Sequence, residues 1–324
     1  MKNFKAAGLV AGLSFLAALA ASAAAAGLAA TQPVAATGKK PTIFVCGDST
    51  AKNSGPGRNG GQIQGWGTPI ASLFDPNRAT VNNAGHAGTS SRTYYNNPGD
   101  WPSVLSKLKS GDFILLVFGI NDGGPPRAVT DRGSIPGIGD DTVNLTRTDG
   151  TVEIAHTYGW YMSKMAADAQ AKGARTVFLT VTARNIWTNP KVKYTDATPT
   201  GPLPADYDPK QDKIERGTAN GKYTQWTKDV AQKLKMPVFD LTNYCADKYE
   251  VMGRETVNKL YSDHNHTLIP GAEIVAESVV AGLKALKDSP FVPLLSDKGK
   301  GVATADVKYV SDNLPGATTM PAGK

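Results

Sequence analysis

Phe113-Ile114-Leu115-Leu116-Val117-Phe118 is an unbroken apolar run held between Asp112 and Gly119. A strand that is apolar on both faces must be buried on both, so it belongs at the centre of a sheet with layers above and below. Four further strand-like runs fall at Thr42–Cys46, Ala79–Ala84, Thr176–Val181 and Val238–Leu241. Helical spacing falls between and after them: a weak signal from Gly67 to Leu73, then 101–109, 152–171, 218–234, 244–258 and a last helix from Pro270 to about Leu286. Five alternations of short strand and helix predict an α/β chain with a five-stranded parallel sheet between helical layers.

The 324 residues are 40% hydrophobic and 19% charged, enough for one large core. Four segments are expected: a signal peptide over 1–26, a flexible linker over 27–40, the folded domain over 41–288, and a C-terminal tail over 289–324. Lys2 and Lys5 precede an apolar stretch from Ala6 to about Ala21, and Ala21-Ser22-Ala23 and Ala24-Ala25-Ala26 offer small-residue cleavage sites. The competing reading is an uncleaved anchor, because apolar character runs on to Ala30. The alanine content makes that hydrophobic drive modest. The mature protein is expected in the periplasm or outside the cell, with no membrane contact and as a monomer. From Ser289 apolar positions are few, and the tail is expected to pack little or to dock along the surface.

Removing Lys2 and Lys5 lowers the net charge from +7 to about +5. No Lys/Arg run is dense enough for a nucleic-acid partner. Cys46 and Cys245 are the two cysteines, and two unpaired buried thiols are expected rather than a bridge.

In open α/β sheets, sites form at the carboxyl ends of the strands. Gly47-Asp48-Ser49-Thr50 follows the first strand, Ala87-Gly88-Thr89 the second, and Gly119-Ile120-Asn121-Asp122 the third. Asp263-His264-Asn265-His266 precedes the last helix and can reach the same rim. A serine hydroxyl needs an adjacent base, and the base needs an orienting partner. His266 lies three residues after Asp263, a spacing at which a turn brings carboxylate to Nδ1–H and leaves Nε2 free. His264, adjacent to Asp263, points away. His156 falls inside a predicted helix and reads as structural. For the charge that builds on a carbonyl oxygen, the donors are the backbone N–H of Ser49 and Gly88 and the side-chain amide of Asn121.

These segments resemble, in order, the four blocks of the SGNH (GDSL-type) hydrolases. Gly65-Trp66-Gly67, Ala87-Gly88-Thr89-Ser90-Ser91-Arg92, Asn121-Asp122-Gly123-Gly124 and Tyr158-Gly159-Trp160-Tyr161-Met162 look most like rhamnogalacturonan acetylesterases and related pectin and xylan deacetylases. The resemblance covers about residues 40–287. It implies a three-layer α/β/α, flavodoxin-like fold and ester hydrolysis with no metal and no cofactor. The triad would be Ser49, His266 and Asp263, the oxyanion hole Ser49, Gly88 and Asn121, and the substrate an acetylated polysaccharide. His86 and Trp187 could touch that substrate. Arg92, Arg184 and Asn185 could meet a uronate carboxylate, since arginine forks suit carboxylates. Of Trp66, Trp160 and Trp187, at least two should be core.

Three other readings are weaker. Gly55-Pro56-Gly57-Arg58-Asn59-Gly60 fits a dinucleotide fingerprint but starts nine residues after Cys46 and contains a proline. Zinc at Asp263, His264 and His266 lacks a helix-spaced His pair or a Cys cluster. A non-catalytic carbohydrate binder, or an esterase for lipids, would use the same fold.

Overall fold

The computed structural model describes residues 40–127, 132–147, 149–216 and 222–312. The expected signal peptide, the linker up to residue 39 and the tail beyond residue 312 lie outside the described residues. Strands β1 (Thr42–Gly47), β2 (Thr80–Asn83), β3 (Phe113–Val117), β4 (Arg175–Leu179) and β5 (Val238–Phe239) form one parallel sheet. A further strand, β6 (Val310–Ser311), pairs antiparallel with β5, giving the order β6-β5-β4-β3-β1-β2. The most hydrophobic run is β3, and it lies between β1 and β4, with Leu115 opposite Val45 on one side and Val177 on the other.

The helices are α1 (Ser91–Asn96), α2 (Trp101–Lys107), α3 (Tyr158–Ala171), α4 (Lys222–Leu234), α5 (Leu241–Met252), α6 (Arg254–Asn258), α7 (Ile269–Ala285) and α8 (Asp297–Gly301). Successive strand residues point to opposite faces. Ile43, Val45, Leu115, Val117 and Val177 therefore join Cys245, Tyr249, Val275 and Val279 from α5 and α7 in one core. Phe44, Cys46, Ile114, Leu116 and Phe178 join Tyr94, Trp101, Met162 and Val230 from α1 to α4 in the other. This is the expected three-layer α/β/α sandwich. Cys46 and Cys245 lie in separate cores as free thiols, each pushed up to about 12 by burial. Among the described residues no helix is long and apolar enough to cross a membrane.

Several expectations are corrected. The sheet has a sixth strand, and that strand comes from the tail. Phe291 and Leu295 are each 1% exposed, and the Phe291 ring lies 4.6 Å from that of Phe113. The tail is poor in apolar residues, but Phe291 and Leu295 are inserted into the core, while Val292 and Val307 stay exposed. Val152–His156 is a strand paired antiparallel with Thr142–Thr146, so the helix expected over 152–171 begins only at Tyr158, as α3. Thr157 divides the two elements: its side chain accepts the Trp160 N–H and caps the helix. The Gly67–Leu73 segment is a 3₁₀ turn over Pro69–Leu73. The 244–258 helix starts earlier, at Leu241, and breaks at Gly253.

Candidate active site

Gly47 ends β1 pressed against β3; a Cβ there would stand 2.7 Å from Val117 Cγ1 and 2.9 Å from the Val117 carbonyl oxygen. The chain then turns tightly. The Asp48 carbonyl accepts the N–H groups of Ala51 and Lys52 at 3.1 and 3.0 Å. The buried Asp48 carboxylate accepts the Thr50 N–H at 2.8 Å and the Thr50 hydroxyl at 2.9 Å. Burial raises the Asp48 pKa against those two hydrogen bonds. This turn holds Ser49, 7% exposed, at the carboxyl end of β1.

Ser49 Oγ lies 3.0 Å from His266 Nε2, across 217 residues of sequence. His266 Nδ1 lies 2.8 Å from Asp263 Oδ2. Asp263 Oδ1 accepts the backbone N–H groups of Asn265 at 2.7 Å and His266 at 2.8 Å. Burial alone would raise the Asp263 carboxyl, but the His266 ring and the two backbone donors outweigh it and hold its pKa below the usual carboxylate value. An ionised Asp263 favours the proton on Nδ1 and leaves the Nε2 lone pair facing the serine. The loop itself is fastened to the rest of the rim. Ser262 N–H donates to the His266 carbonyl at 2.8 Å, and the Thr267 hydroxyl donates to the Gln64 carbonyl at 2.7 Å.

The loop after β2 is tied to β1 by the His86 N–H, which donates to the Gly47 carbonyl at 2.9 Å. Gly88 has φ +83°, a left-handed conformation that suits glycine. Asn121 Nδ2 donates to the Thr89 carbonyl at 2.9 Å, which joins this loop to the one after β3 and leaves a second amide N–H for another acceptor. The backbone N–H groups of Ser49 and Gly88 donate to no acceptor among the described residues. Behind Asn121, the fully buried Asp122 carboxylate accepts from the Ser91 N–H and hydroxyl and from the Ser134 hydroxyl. Burial pushes its pKa up to about 6 against those bonds. A serine with a base and an orienting carboxylate thus stands beside three loops that supply hydrogen-bond donors.

Residues 45–266 match the GDSL-like Lipase/Acylhydrolase family. The chain belongs to that family. This GDSL-like protein is a carboxylic ester hydrolase. It is 29% identical over 252 residues to the rhamnogalacturonan acetylesterase of Emericella nidulans, covering 76% of this chain and 88% of that one. It is 25% identical over 279 residues to the rhamnogalacturonan acetylesterase RhgT of Bacillus subtilis, covering 81% and 98%. The crystal structure of the Bacillus subtilis protein YxiM shares the fold, with a TM-score of 0.53 at 22% identity over 76% of this chain and 56% of that longer one.

Other nominated residues of this GDSL-like hydrolase fare differently. Arg92 is 2% exposed and grips Glu153 through Nε at 2.8 Å and Nη2 at 3.0 Å, so it anchors the 142–156 hairpin and cannot meet substrate. Trp187 is 2% exposed, with its indole N–H on Asn185 Oδ1 at 2.8 Å; it is core, as is Trp66. Arg184 pairs with Glu215, and Asn185 anchors the loop carrying His264. His264 faces Asp196 at 3.3 Å. His156 is not helical; it ends a strand and stacks on Trp160 at 3.7 Å. His86 alone of the proposed substrate contacts is exposed at the rim, its Nδ1 held 2.9 Å from both Asp100 oxygens. Sequence reasoning passed over Arg132, whose Nη1 donates to the Gly88 carbonyl at 3.2 Å. It sits in a segment that reads only as polar loop, with no motif to mark it.

Proposed function

We propose that this hydrolase removes acetyl groups from an acetylated polysaccharide, with rhamnogalacturonan as the preferred polymer, through an acetyl-serine intermediate. The observation that carries the reading is the hydrogen-bonded series Ser49 Oγ, His266 Nε2, His266 Nδ1 and Asp263 Oδ2, at 3.0 and 2.8 Å. The acyl group and polymer are suggested by the names of the two relatives.

In this mechanism Ser49 Oγ bonds to the acetyl carbonyl carbon while its proton moves to His266 Nε2. The carbonyl π electrons collect on oxygen, which is met by the N–H groups of Ser49 and Gly88 and the free amide N–H of Asn121. Each such donor is worth roughly 3–4 kcal/mol in related sites. Collapse breaks the bond to the sugar oxygen, which leaves with the proton from Nε2. Water then gives a proton to the same nitrogen and its oxygen to the acyl carbon, releasing acetate and restoring Ser49. Asp263 remains ionised and holds the ring. The N-terminal segment supports export, so the mature chain is expected in the periplasm or outside the cell, with a new N-terminus near Ala23–Ala26.

The test is acetate release from acetylated rhamnogalacturonan, with acetylated xylan in parallel and Ser49→Ala as control. Release lost in the variant and larger on the first polymer supports the reading. Equal or greater release from xylan reassigns the substrate. Binding without release would make the protein a carbohydrate binder.

A further inference from the structure

The turn that carries the Gly88 N–H is not held by packing. Outside its chain neighbours, a Cβ built on Gly88 would meet one atom within 4 Å, Arg132 Nη1 at 3.9 Å. Ala87 beside it is exposed. The turn therefore takes its position from hydrogen bonds. Near its start the His86 N–H reaches the Gly47 carbonyl at 2.9 Å, and the Thr89 hydroxyl donates to the His86 carbonyl at 2.7 Å. Two more bonds arrive from the chain after β3. Asn121 Nδ2 donates to the Thr89 carbonyl at 2.9 Å, and Arg132 Nη1 donates to the Gly88 carbonyl at 3.2 Å.

Both of these arms are set by Asp122, which follows Asn121 directly. Its backbone carbonyl accepts the Ser134 N–H at 3.1 Å, and its carboxylate accepts the Ser134 hydroxyl at 3.1 Å. Arg92 Nη1 donates to the Gly133 carbonyl at 2.8 Å. The two residues that follow Arg132 are thus both anchored. The Asp122 carboxylate also accepts the Ser91 N–H at 3.1 Å and the Ser91 hydroxyl, fixing the chain three residues beyond Gly88. Asp122 is fully buried, so water does not replace a partner that is lost. Charge adds a second reason for Arg132 to lie here. Arg92, Arg147 and Arg184 are each matched to a glutamate, whereas Arg132 rests on a neutral carbonyl and its charge reaches Asp48. Asp48 and Asp122 are buried carboxylates next in sequence to the donors Ser49 and Asn121. Negative charge that forms on a substrate oxygen at those donors is opposed by both, and a fixed cation on the Gly88 loop favours it.

We infer that Asp122 and Arg132 are positioning residues of the oxyanion hole. Asp122 ties the loops after β2 and β3 together, and Arg132 holds Gly88 by its carbonyl so that its N–H faces the substrate oxygen. This deepens the acetylesterase reading and rests on it.

The test uses 4-nitrophenyl acetate, an ester with no polymer to reach Arg132, and phenylboronic acid, whose tetrahedral adduct on a serine places an oxygen in the oxyanion position. The variants are Ser49→Ala, Arg132→Met, Arg132→Lys, Ser91→Ala and Ser134→Ala, each with a thermal melt. The two serine variants remove partners of Asp122 without emptying its buried site. Arg132→Met should lower kcat about tenfold, the loss of one charge-assisted bond, with KM unchanged. The inhibition constant of the boronic acid should rise by a similar factor, and Arg132→Lys should restore most of both. Ser91→Ala and Ser134→Ala should lower kcat in the same way. Adding Ser134→Ala to Arg132→Met should cost less than the product of the two losses, because both lie on one arm. Folded Arg132→Met, Ser91→Ala and Ser134→Ala enzymes with wild-type kcat, or a raised KM with kcat unchanged, overturn the inference while leaving the Ser49 mechanism intact. Hydrolysis that survives Ser49→Ala overturns the esterase reading, and the inference falls with it.

Discussion

Asp263→Asn separates the electrostatic part of the site from its architecture. Asp263 makes three contacts with two oxygens: Oδ1 accepts the backbone N–H groups of Asn265 and His266, and Oδ2 faces His266 Nδ1 at 2.8 Å. Asparagine keeps an oxygen for the two backbone donors, so the loop stays in place and global stability should change by less than about 1 kcal/mol. Its amide nitrogen then donates where Oδ2 accepted. The ring answers by placing its own proton on Nε2, which lies 3.0 Å from Ser49 Oγ. A protonated Nε2 donates to the serine and cannot take its proton. The expected loss in kcat is about 10⁴-fold, the size of a wrong-tautomer defect in a serine triad, or about 5 kcal/mol in the barrier. Asp263→Ala is a poorer probe, because it also strands two backbone N–H groups at about 1–3 kcal/mol of stability. The assay is kcat on 4-nitrophenyl acetate and on the acetylated polymer, beside a thermal melt. A folded Asp263→Asn enzyme within tenfold of wild-type kcat would refute the reasoning.

Two further outcomes concern stability. Phe291→Ala should cost about 3–5 kcal/mol, since the ring is 1% exposed against Phe113 at the start of the central strand; kcat should hold, because that end of β3 is opposite the site, and a loss under 1 kcal/mol by urea unfolding would mean the tail is dispensable. Asp122 titrates at about 6 when folded and near 3.9 unfolded. Between those values the native state holds a proton that the unfolded chain has released, so this group lowers stability as pH rises from about 4 to about 6, by about 3 kcal/mol in all. Asp122→Asn should remove that slope; parallel stability curves for the two proteins would show that Asp122 is not the group responsible.

Much of this was readable along the chain because the physics is local. A short run apolar on both faces can be buried only inside a layered sheet, and β3 lies there. Glycine and a polar turn after a strand mark a rim, which is where Ser49, Gly88 and Asn121 lie. A carboxylate three residues before a histidine can close an Asx-type turn onto it, and Asp263 and His266 do so. The Val152–His156 strand carried a signal too, in alternating Val152 and Ile154 and a capping Thr157, but it merged with the helical pattern of α3. Other features had no local trace. Arg92 and Glu153 are 61 residues apart, and nothing near Arg92 shows that its charge is already matched. Two residues of β6 complete the sheet edge through Phe239, and a two-residue strand has no periodicity to detect. The Ser49–His266 contact spans 217 residues. Sequence by itself determined the layered fold and the chemical types at the rim, because burial and turn formation act over a few residues. Tertiary structure alone decided which charges are neutralised and which stay open, because a partner across the fold is chosen by packing and leaves no mark in the neighbouring sequence.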